Sequence, residues 1–343
     1  MLADLNLALE RFPTFRLLDG STPIQRLSRL EAALGSAAGT ARLWVKRDDL
    51  MGIGGGGNKL RKLEYLIGEA LQQGCDTFIT TGGLQSNHAR QSAAAAARAG
   101  LACELMLGDV VPRHDADYRH NGNLLLDDLF GATIHRLNEG EDPYAAAQAR
   151  ADVLRGQGRR VYVVGSGGSS PLGTLGYARC GAEILEQEQR LGLRFASIVV
   201  PNGSSGTHAG LLAGLTAAGD DPGRTLSFTV LAPVDEALRT TADLAREALD
   251  LLGLGLTLPN ASVTVDGSQR GPAYGIPTEA MLEALRTLAR TEGLLLDPVY
   301  SGKAFAGFMD MARSGRWADQ DILFIMTGGT PGLFAYREAL VGG

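Results

Sequence analysis

The chain is predicted to fold as an α/β protein with parallel-rich sheets flanked by helices, and three observations carry that prediction. Short apolar or β-branched runs alternate with longer helical segments between residues 43 and 252. A parallel pair of strands needs a crossover of about a dozen residues, which those helices supply. Four strand-like runs end directly in glycine- or serine-rich turns, TTGGLQSNH, VVGSGGSSPLG, VVPNGSSGTHAG and FIMTGGTPG. Ligands of parallel sheets bind beyond the carboxyl ends of strands, so these turns are expected to converge on one cleft between two lobes. With 343 residues, 45% of them hydrophobic and 20% charged, the chain has the composition of a globular protein with an ample core.

The first strand is expected at 43–47, after a helix-capping STPIQRL segment, and the first long helix at 60–73, stopped by Gly74. Residues 76–81 are apolar and β-branched, 85–99 alanine-rich and helical up to Gly100, and 102–107 strand-like again. The alternation continues with strand 132–136, helix 144–155, strand 160–164 and helix 172–188. Strand 197–201, a helix after Gly206, strand 226–231 and helix 234–252 follow, and a late apolar strand ends at Thr327.

Charge and cysteine content exclude several classes. Lys+Arg 32 against Asp+Glu 38 leaves a net charge of −6, with no basic block, so nucleic acid and anionic membrane are excluded as partners. Cys75, Cys103 and Cys180 are widely spaced and odd in number, which reads as buried, reduced thiols of a cytoplasmic protein. The start MLADLNLALERF lacks the basic and apolar runs of a signal peptide, and no apolar stretch reaches the ~20 residues of a membrane span. The five histidines are scattered, so no metal is expected, and there is no GxSxG elbow.

The stretch GIGGGGNK, residues 52–59, surrounds one amine with glycines. It is not a nucleotide-binding P-loop, because Leu60 stands where Ser or Thr is needed to hold magnesium. A plain turn and a clearing around a reactive Lys59 remain. Gly203, Ser204, Ser205, Gly206 and Thr207 lie between a strand and a helix, where inward amides and hydroxyls suit a monophosphate or simply cap the helix. Ser86 and Asn87 stand at a helix head as N-cap candidates or ligands, and His88 either satisfies a neighbour from the helix or acts in catalysis. Tyr274 and Tyr300 sit beside proline, glycine and helix-start signals, as packing residues or as proton donors and carboxylate contacts at a cleft. Thr327 is read as closing a local turn, and Lys303 as lying on a solvated helix face.

Taken together, FPTFRLLDGSTPIQRL, KRDDL, GGNKLRKLE, LQSNHARQ, GSSGTHAG, YGIPT, LLDPVYSGK and TGGTPGLFAY resemble the fold type II pyridoxal-phosphate enzymes. More narrowly, they resemble the branch of 1-aminocyclopropane-1-carboxylate deaminase, D-cysteine desulfhydrase and L-cysteate sulfo-lyase. The motifs span nearly the whole chain. The resemblance implies a tryptophan synthase β-like fold, with a large cofactor-binding domain of residues 1–61 plus 173–343, a small domain of 62–172, and pyridoxal 5′-phosphate in the cleft between them. It also implies a homodimer.

On that resemblance Lys59 forms the Schiff base with the cofactor aldehyde and later shuttles the α-proton, and the glycines before it clear the space. Asn87 binds the ring hydroxyl, Asn58 joins the cofactor site, Gly203 to Thr207 hold the phosphate, and Thr327 faces the pyridine nitrogen. Gln85, Ser86 and Asn87 surround the substrate carboxylate, with Ser86 assisting proton transfer, while Tyr274 and Tyr300 contact the substrate or stack by the ring. A neutral threonine holds a ring proton less firmly than an aspartate, which favours prompt loss of a β-substituent. Cyclopropane deaminases carry glutamate where Ser301 stands. That departure puts β-elimination of D-cysteine first, ahead of L-cysteate sulfo-lyase, for which Arg270 is the candidate sulfonate contact, and of the deaminase. Thr330 in TGGTPGL departs from the common TGGAPAL-type ending and reshapes the pocket. A catalytically silent amino-acid or cofactor-binding protein is the non-enzyme alternative, and an ATP-binding regulator the weakest.

Overall fold

In a computed structural model that describes residues 1–341, the alternation resolves into two sheets. The strands are β1 (Ile24–Arg26), β2 (Arg42–Lys46), β3 (Thr77–Gly83), β4 (Ala102–Gly108), β5 (Thr133–Leu137), β6 (Val161–Val164), β7 (Phe195–Asn202), β8 (Thr225–Thr229), β9 (Val265–Asp266) and β10 (Asp321–Ile325). The larger sheet runs β1-β2-β10-β7-β8-β9 and the smaller β5-β4-β3-β6. Only the short β1 pairs antiparallel, with Ile24 opposite Lys46. Every other pairing is parallel.

β10 shows why such a sheet forms. Ile322, Leu323, Phe324 and Ile325 are all fully buried, the continuous apolar run that a strand covered on both faces requires. The strand's period of two sends Ile322 and Phe324 into the core on one face, with Leu43, Val45 and Phe305. Leu323 and Ile325 go into the core on the other, with Ile198, Val200 and Leu211.

Helix ends follow local chemistry. Ser170 caps the helix Pro171–Leu191 by accepting from the Gly173 amide at 3.2 Å, proline opens it, and left-handed Gly192 closes it. The helix Gly206–Ala218 lies against it through Gly210 and Gly214, where a Cβ would stand 2.4 Å from the Thr174 and Ala178 carbonyl oxygens. That close approach seats the amino end of Gly206–Ala218 at the cleft.

The helix Lys59–Gln72 joins the two halves. Leu60, Leu63, Leu66 and Ile67 pack into the core of the smaller sheet, while Tyr65 packs with Leu175 and Ala178 on the other side. The expected lobe boundaries at 61/62 and 172/173 both fall inside helices, this one and Pro171–Leu191. No helix among the described residues is long and apolar enough to cross a membrane.

Candidate active site

The turns after β3 and β7, the loop before the Lys59 helix and the segment around Tyr300 meet in one cavity. It is lined by Asn58, Lys59, Gln85, Ser86, Asn87, Gly203, Ser204, Tyr274 and Tyr300. Ser205, Gly206, Thr207 and Thr327 stand outside that lining, Ser205, Thr207 and Thr327 being buried themselves. Thr207 and Thr327 are tied to it through Asn58, whose Nδ2 donates to Thr207 Oγ1 at 3.0 Å and whose amide donates to the Thr327 carbonyl at 3.0 Å. A roomier groove on the far side of the Lys59 helix, lined by residues such as Arg16, Glu64 and Arg179, holds none of the expected site residues.

Lys59 is the first residue of its helix, and the Gln91 Oε1 accepts from the Lys59 and Leu60 amides at 3.1 and 3.2 Å. The ammonium lies 5.1 Å from the centre of the Tyr300 ring. Burial lowers its pKa to about 8, with Asp297 pulling the other way. The preceding glycines correct one expectation. A Cβ on Gly56 would stand 2.2 Å from the Asp49 carbonyl oxygen, on Gly57 2.7 Å from Gln91 Nε2, and on Gly54 2.6 Å from Ala94. Rather than clearing space around the amine, they let the loop lie directly on its neighbours, with positive φ at all three.

Opposite Lys59, Ser205 adopts left-handed φ of 64°, rare for a residue other than glycine, as it opens the helix Gly206–Ala218. The Gly206 amide donates to the Ser204 carbonyl at 2.8 Å, and the next opening amides have no partner within the helix, so they remain as donors at this turn. Lys62, one turn beyond Lys59, reaches the same place. It is fully buried, and its Nζ donates to the Gly167 carbonyl at 3.1 Å and to Ser169 Oγ at 2.9 Å. Ser169 Oγ in turn donates to Ser204 Oγ at 2.8 Å. A Cβ on Gly206 would stand 2.6 Å from the Lys62 ammonium. Burial and the neighbouring Lys59 hold the Lys62 pKa well below its ordinary value.

These features fit the phosphate-bearing pyridine aldehyde that the resemblance implies. A buried amine with no carboxylate partner stands beside a helix start that carries donors, and a bound anion would favour its charged form. Thr327 Oγ1 is buried with no partner, so its expected local turn bond is absent and the hydroxyl is left for a ring nitrogen. Asn87 Oδ1 accepts from Asn123 Nδ2 at 3.1 Å and Arg90 Nη1 at 3.4 Å, which leaves its Nδ2 to donate.

Other placements differ from expectation. The Gln85 amide is consumed, Nε2 donating to the Tyr118 and Asn121 carbonyls at 2.7 and 2.9 Å and Oε1 accepting from the Asn123 amide at 2.9 Å. It fixes the loop that carries Ser86 and has no free donor for a carboxylate. Tyr300 donates its hydroxyl proton to the Pro201 carbonyl at 2.8 Å, so it presents a ring face rather than a proton. Ser86 Oγ caps its helix by accepting from the Ala89 amide at 3.2 Å, keeping its own proton to donate. His88 bonds Thr80 Oγ1 at 2.8 Å, the first of its two expected roles, and burial holds its pKa well below ordinary. Lys303 is fully buried, not solvated, because two backbone carbonyls take its ammonium.

Sequence reading missed Lys62, Asp297, Asn123 and Arg90. Lys62 had a signal, standing three residues from Lys59 on one helix face. So did Asp297, whose carboxylate accepts from the Val299, Tyr300 and Ser301 amides ahead of the helix Ser301–Arg313, a capping role its Asp-Pro context announces. Asn123 and Arg90 had none. Among the described residues no cluster could hold a metal ion.

Comparison with known proteins converges on the same chemistry. Residues 15–328 match the family described as pyridoxal-phosphate dependent enzyme. A D-cysteine desulfhydrase of Yersinia pestis (strain Pestoides F) is 44% identical over 330 residues, 96% of this chain and 97% of its own length. One of Serratia proteamaculans (strain 568) is 42% identical over 335 residues, 97% of this chain and 99% of its own. Among solved structures, an ACC deaminase homologue superposes with a TM-score of 0.88 at 36% identity, covering 100% of this chain and 99% of that one. A pyridoxal 5′-phosphate-dependent aspartate racemase, at a TM-score of 0.62 and 15% identity, covers 96% and 95% and shares the fold.

Proposed function

Because this chain belongs to the pyridoxal-phosphate dependent enzyme family, we propose that it is a lyase that removes the β-substituent of a small amino acid. The substrate in this reading is D-cysteine, and the products are pyruvate, hydrogen sulfide and ammonia. The full-length likeness to D-cysteine desulfhydrases supports it. The observation that carries β-elimination over ring-opening deamination is Ser301. This residue is fully buried and donates its hydroxyl to Asp297 Oδ2 at 2.6 Å, so no side-chain acid stands at that position.

When bound, pyridoxal phosphate supplies an electron sink that acidifies the α-C–H of an amino acid and lets a β-substituent depart. In this reading Lys59 Nζ would hold the aldehyde, and the Gly203 to Thr207 turn with Lys62 would hold the phosphate. Asn87 Nδ2 would meet the ring hydroxyl and Thr327 Oγ1 the ring nitrogen. With a pKa of about 8, Lys59 has a substantial neutral fraction just above neutral pH, and its amine can take a proton at Nζ. Ser86 Oγ and the Asn87 amide orient a substrate carboxylate, and Tyr274 closes the cavity opposite them. Burial and then Asp297 push the Tyr274 hydroxyl up to about 12, so it acts as a neutral donor. For the alternative of a sulfonate leaving group, Arg270 is held by the Leu231 carbonyl through Nε at 3.0 Å and keeps its Nη donors, so the product assay decides between sulfide and sulfite. The reading also makes the protein a cytoplasmic homodimer; sedimentation of the purified protein checks the dimer and cell fractionation the location.

The test is to offer the cofactor-loaded protein D-cysteine, L-cysteine, L-cysteate and 1-aminocyclopropane-1-carboxylate, and to assay sulfide, sulfite and keto acid. Sulfide from D-cysteine alone is expected. Sulfite or 2-oxobutyrate as the main product would move the substrate while keeping the lyase or deaminase chemistry.

A further inference from the structure

We propose that Lys303 is a positioning residue, pinning down a strap, residues 267–278, that carries Tyr274 across the cavity between the two halves of the molecule. The strap has neither helix nor strand and joins β9 to the helix Glu279–Glu292. Gly271, Pro272 and Ala273 are exposed, yet Tyr274 turns inward to line the cavity.

Such a segment needs anchors to hold one conformation, because each ordered residue costs backbone entropy. Three are present. Lys303 Nζ donates to the Arg270 carbonyl at 2.8 Å and the Ala273 carbonyl at 3.1 Å. Arg270 Nε donates to the carbonyl of Leu231, itself a cavity residue. Tyr336 donates its hydroxyl to the Gly275 carbonyl at 2.9 Å, and a Cβ on Gly275 would stand 2.4 Å from Val111. Tyr336 and Val111 belong to the core of the smaller sheet, against which Tyr274 also packs. Lys303 belongs to the helix Ser301–Arg313 that packs on the larger sheet.

The strap therefore crosses the cleft, with Lys303 holding one bank and Tyr336 the other. Of the anchors, only Lys303 is a buried cation, and it grips the carbonyls on both sides of the exposed tip, the place where the segment would otherwise open. It also sits one turn beyond Tyr300, so the same helix start sets two of the three tyrosines that line the cavity, Tyr274 and Tyr300.

The catalytic side of this inference rests on the proposed lyase reading, in which Tyr274 meets the substrate. The structural side does not, and the experiment separates them. The Arg270–Gly271 bond, whose carbonyl Lys303 holds, is also a trypsin site. Cofactor-free wild type, Lys303→Met and Lys303→Gln are digested briefly, and cleavage at Arg270 is followed by mass spectrometry. About tenfold faster cleavage at that bond in Lys303→Met, with sites elsewhere unchanged and Lys303→Gln in between, is the expected result. Unchanged cleavage at Arg270 in either folded variant would overturn the proposal. With cofactor restored, Lys303→Met should raise KM for D-cysteine about tenfold with kcat little changed, and add nothing to Tyr274→Phe. Faster cleavage without turnover of any amino acid would retire the lyase reading and keep the strap. Faster cleavage with unaltered KM would overturn the positioning role.

Discussion

Two faces of one short helix carry buried charge in opposite ways. On the face of the Lys59 helix turned from the cavity, Arg61 is 2% exposed and bonds Asp48 at 2.8 and 2.9 Å and Glu183 at 2.7 Å. Lys46, from the KRDDL stretch, meets Glu183 at 2.8 Å, and Tyr177 donates to Asp48 at 2.5 Å. Burial works against these charges, but Asp48 raises Arg61 well above its ordinary pKa and Arg61 lowers Asp48 below its own. Lys59 and Lys62 lie on the other face, since a helix turns about 100° per residue and Arg61 points away from both. Neither has a carboxylate in bonding contact, and burial lowers both. Paired buried charge is a fixture of the fold, whereas unpaired buried charge of one sign awaits a ligand of the other.

The sharpest break of that comparison is Lys59→Ala. Activity and the visible absorbance of attached cofactor are expected to vanish, while the cofactor-free protein melts no lower than wild type, because a buried unpaired charge has been removed. A large drop in melting temperature would mean that Lys59 belongs to the fold. Arg61→Met should do the reverse in kind. It leaves Asp48 buried with only the Thr22 and Tyr177 hydroxyls and no cation in contact, and Glu183 with Lys46 alone, at a cost of about 3–5 kcal/mol read by denaturant unfolding of the cofactor-free protein. A loss below about 1 kcal/mol would place the network among fixtures that well-packed apolar groups can replace.

Lys62→Met sharpens the comparison by separating stability from binding. Stability of the cofactor-free protein should be equal or higher, and affinity for pyridoxal phosphate, titrated by fluorescence, about 10- to 100-fold lower, as befits one lost charge-assisted bond to a phosphate. Unchanged affinity would remove Lys62 from the phosphate site and leave its burial unexplained.

How much of this was legible follows the range of the interactions. Helix 234–252 was read to the residue, and β10 was recognised from its apolar run, because both are written in local periodicity. The Lys59 site was legible because glycines, serines and a lysine cluster in short stretches. Lys303 was misread for a physical reason: a lysine on a helix is usually solvated, and nothing nearby in sequence tells that Arg270 and Ala273, 30 residues and more away, offer it two carbonyls. Gln85 was misread likewise, since its partners Tyr118, Asn121 and Asn123 lie across another helix and strand. The glycines before Lys59 were correctly singled out but given the wrong task, as their contacts with Asp49, Gln91 and Ala94 are tertiary.

The smallest expected effect tests whether unpaired burial alone marks function. Asp127 is fully buried on the helix Asn123–Leu129, and neither carboxylate oxygen has a partner. Its neighbour Arg90 spends Nη1 on Asn123 and Asn87 and Nη2 on the Gly56 carbonyl, and its Nε is unpartnered too. Burial raises the Asp127 pKa from 3.8 to about 8, with Arg90 opposing. A carboxyl whose pKa is higher folded than unfolded binds more protons in the native state, so between those two values its contribution to stability falls as pH rises. Asp127→Asn removes that dependence. At pH 8 to 9 the variant should therefore be about 1 kcal/mol or more stable than wild type, and the gain should shrink toward pH 4, where the native carboxyl is already neutral. If activity with D-cysteine is kept, Asp127 is buried charge without a ligand, and absence of a partner identifies a site only where donors of the opposite kind converge, as they do at Lys62. If activity falls while the stability gain appears, Arg90 transmits the Asp127 charge to Asn87, and the uncompensated face of the molecule extends from the phosphate turn to the far wall of the cavity.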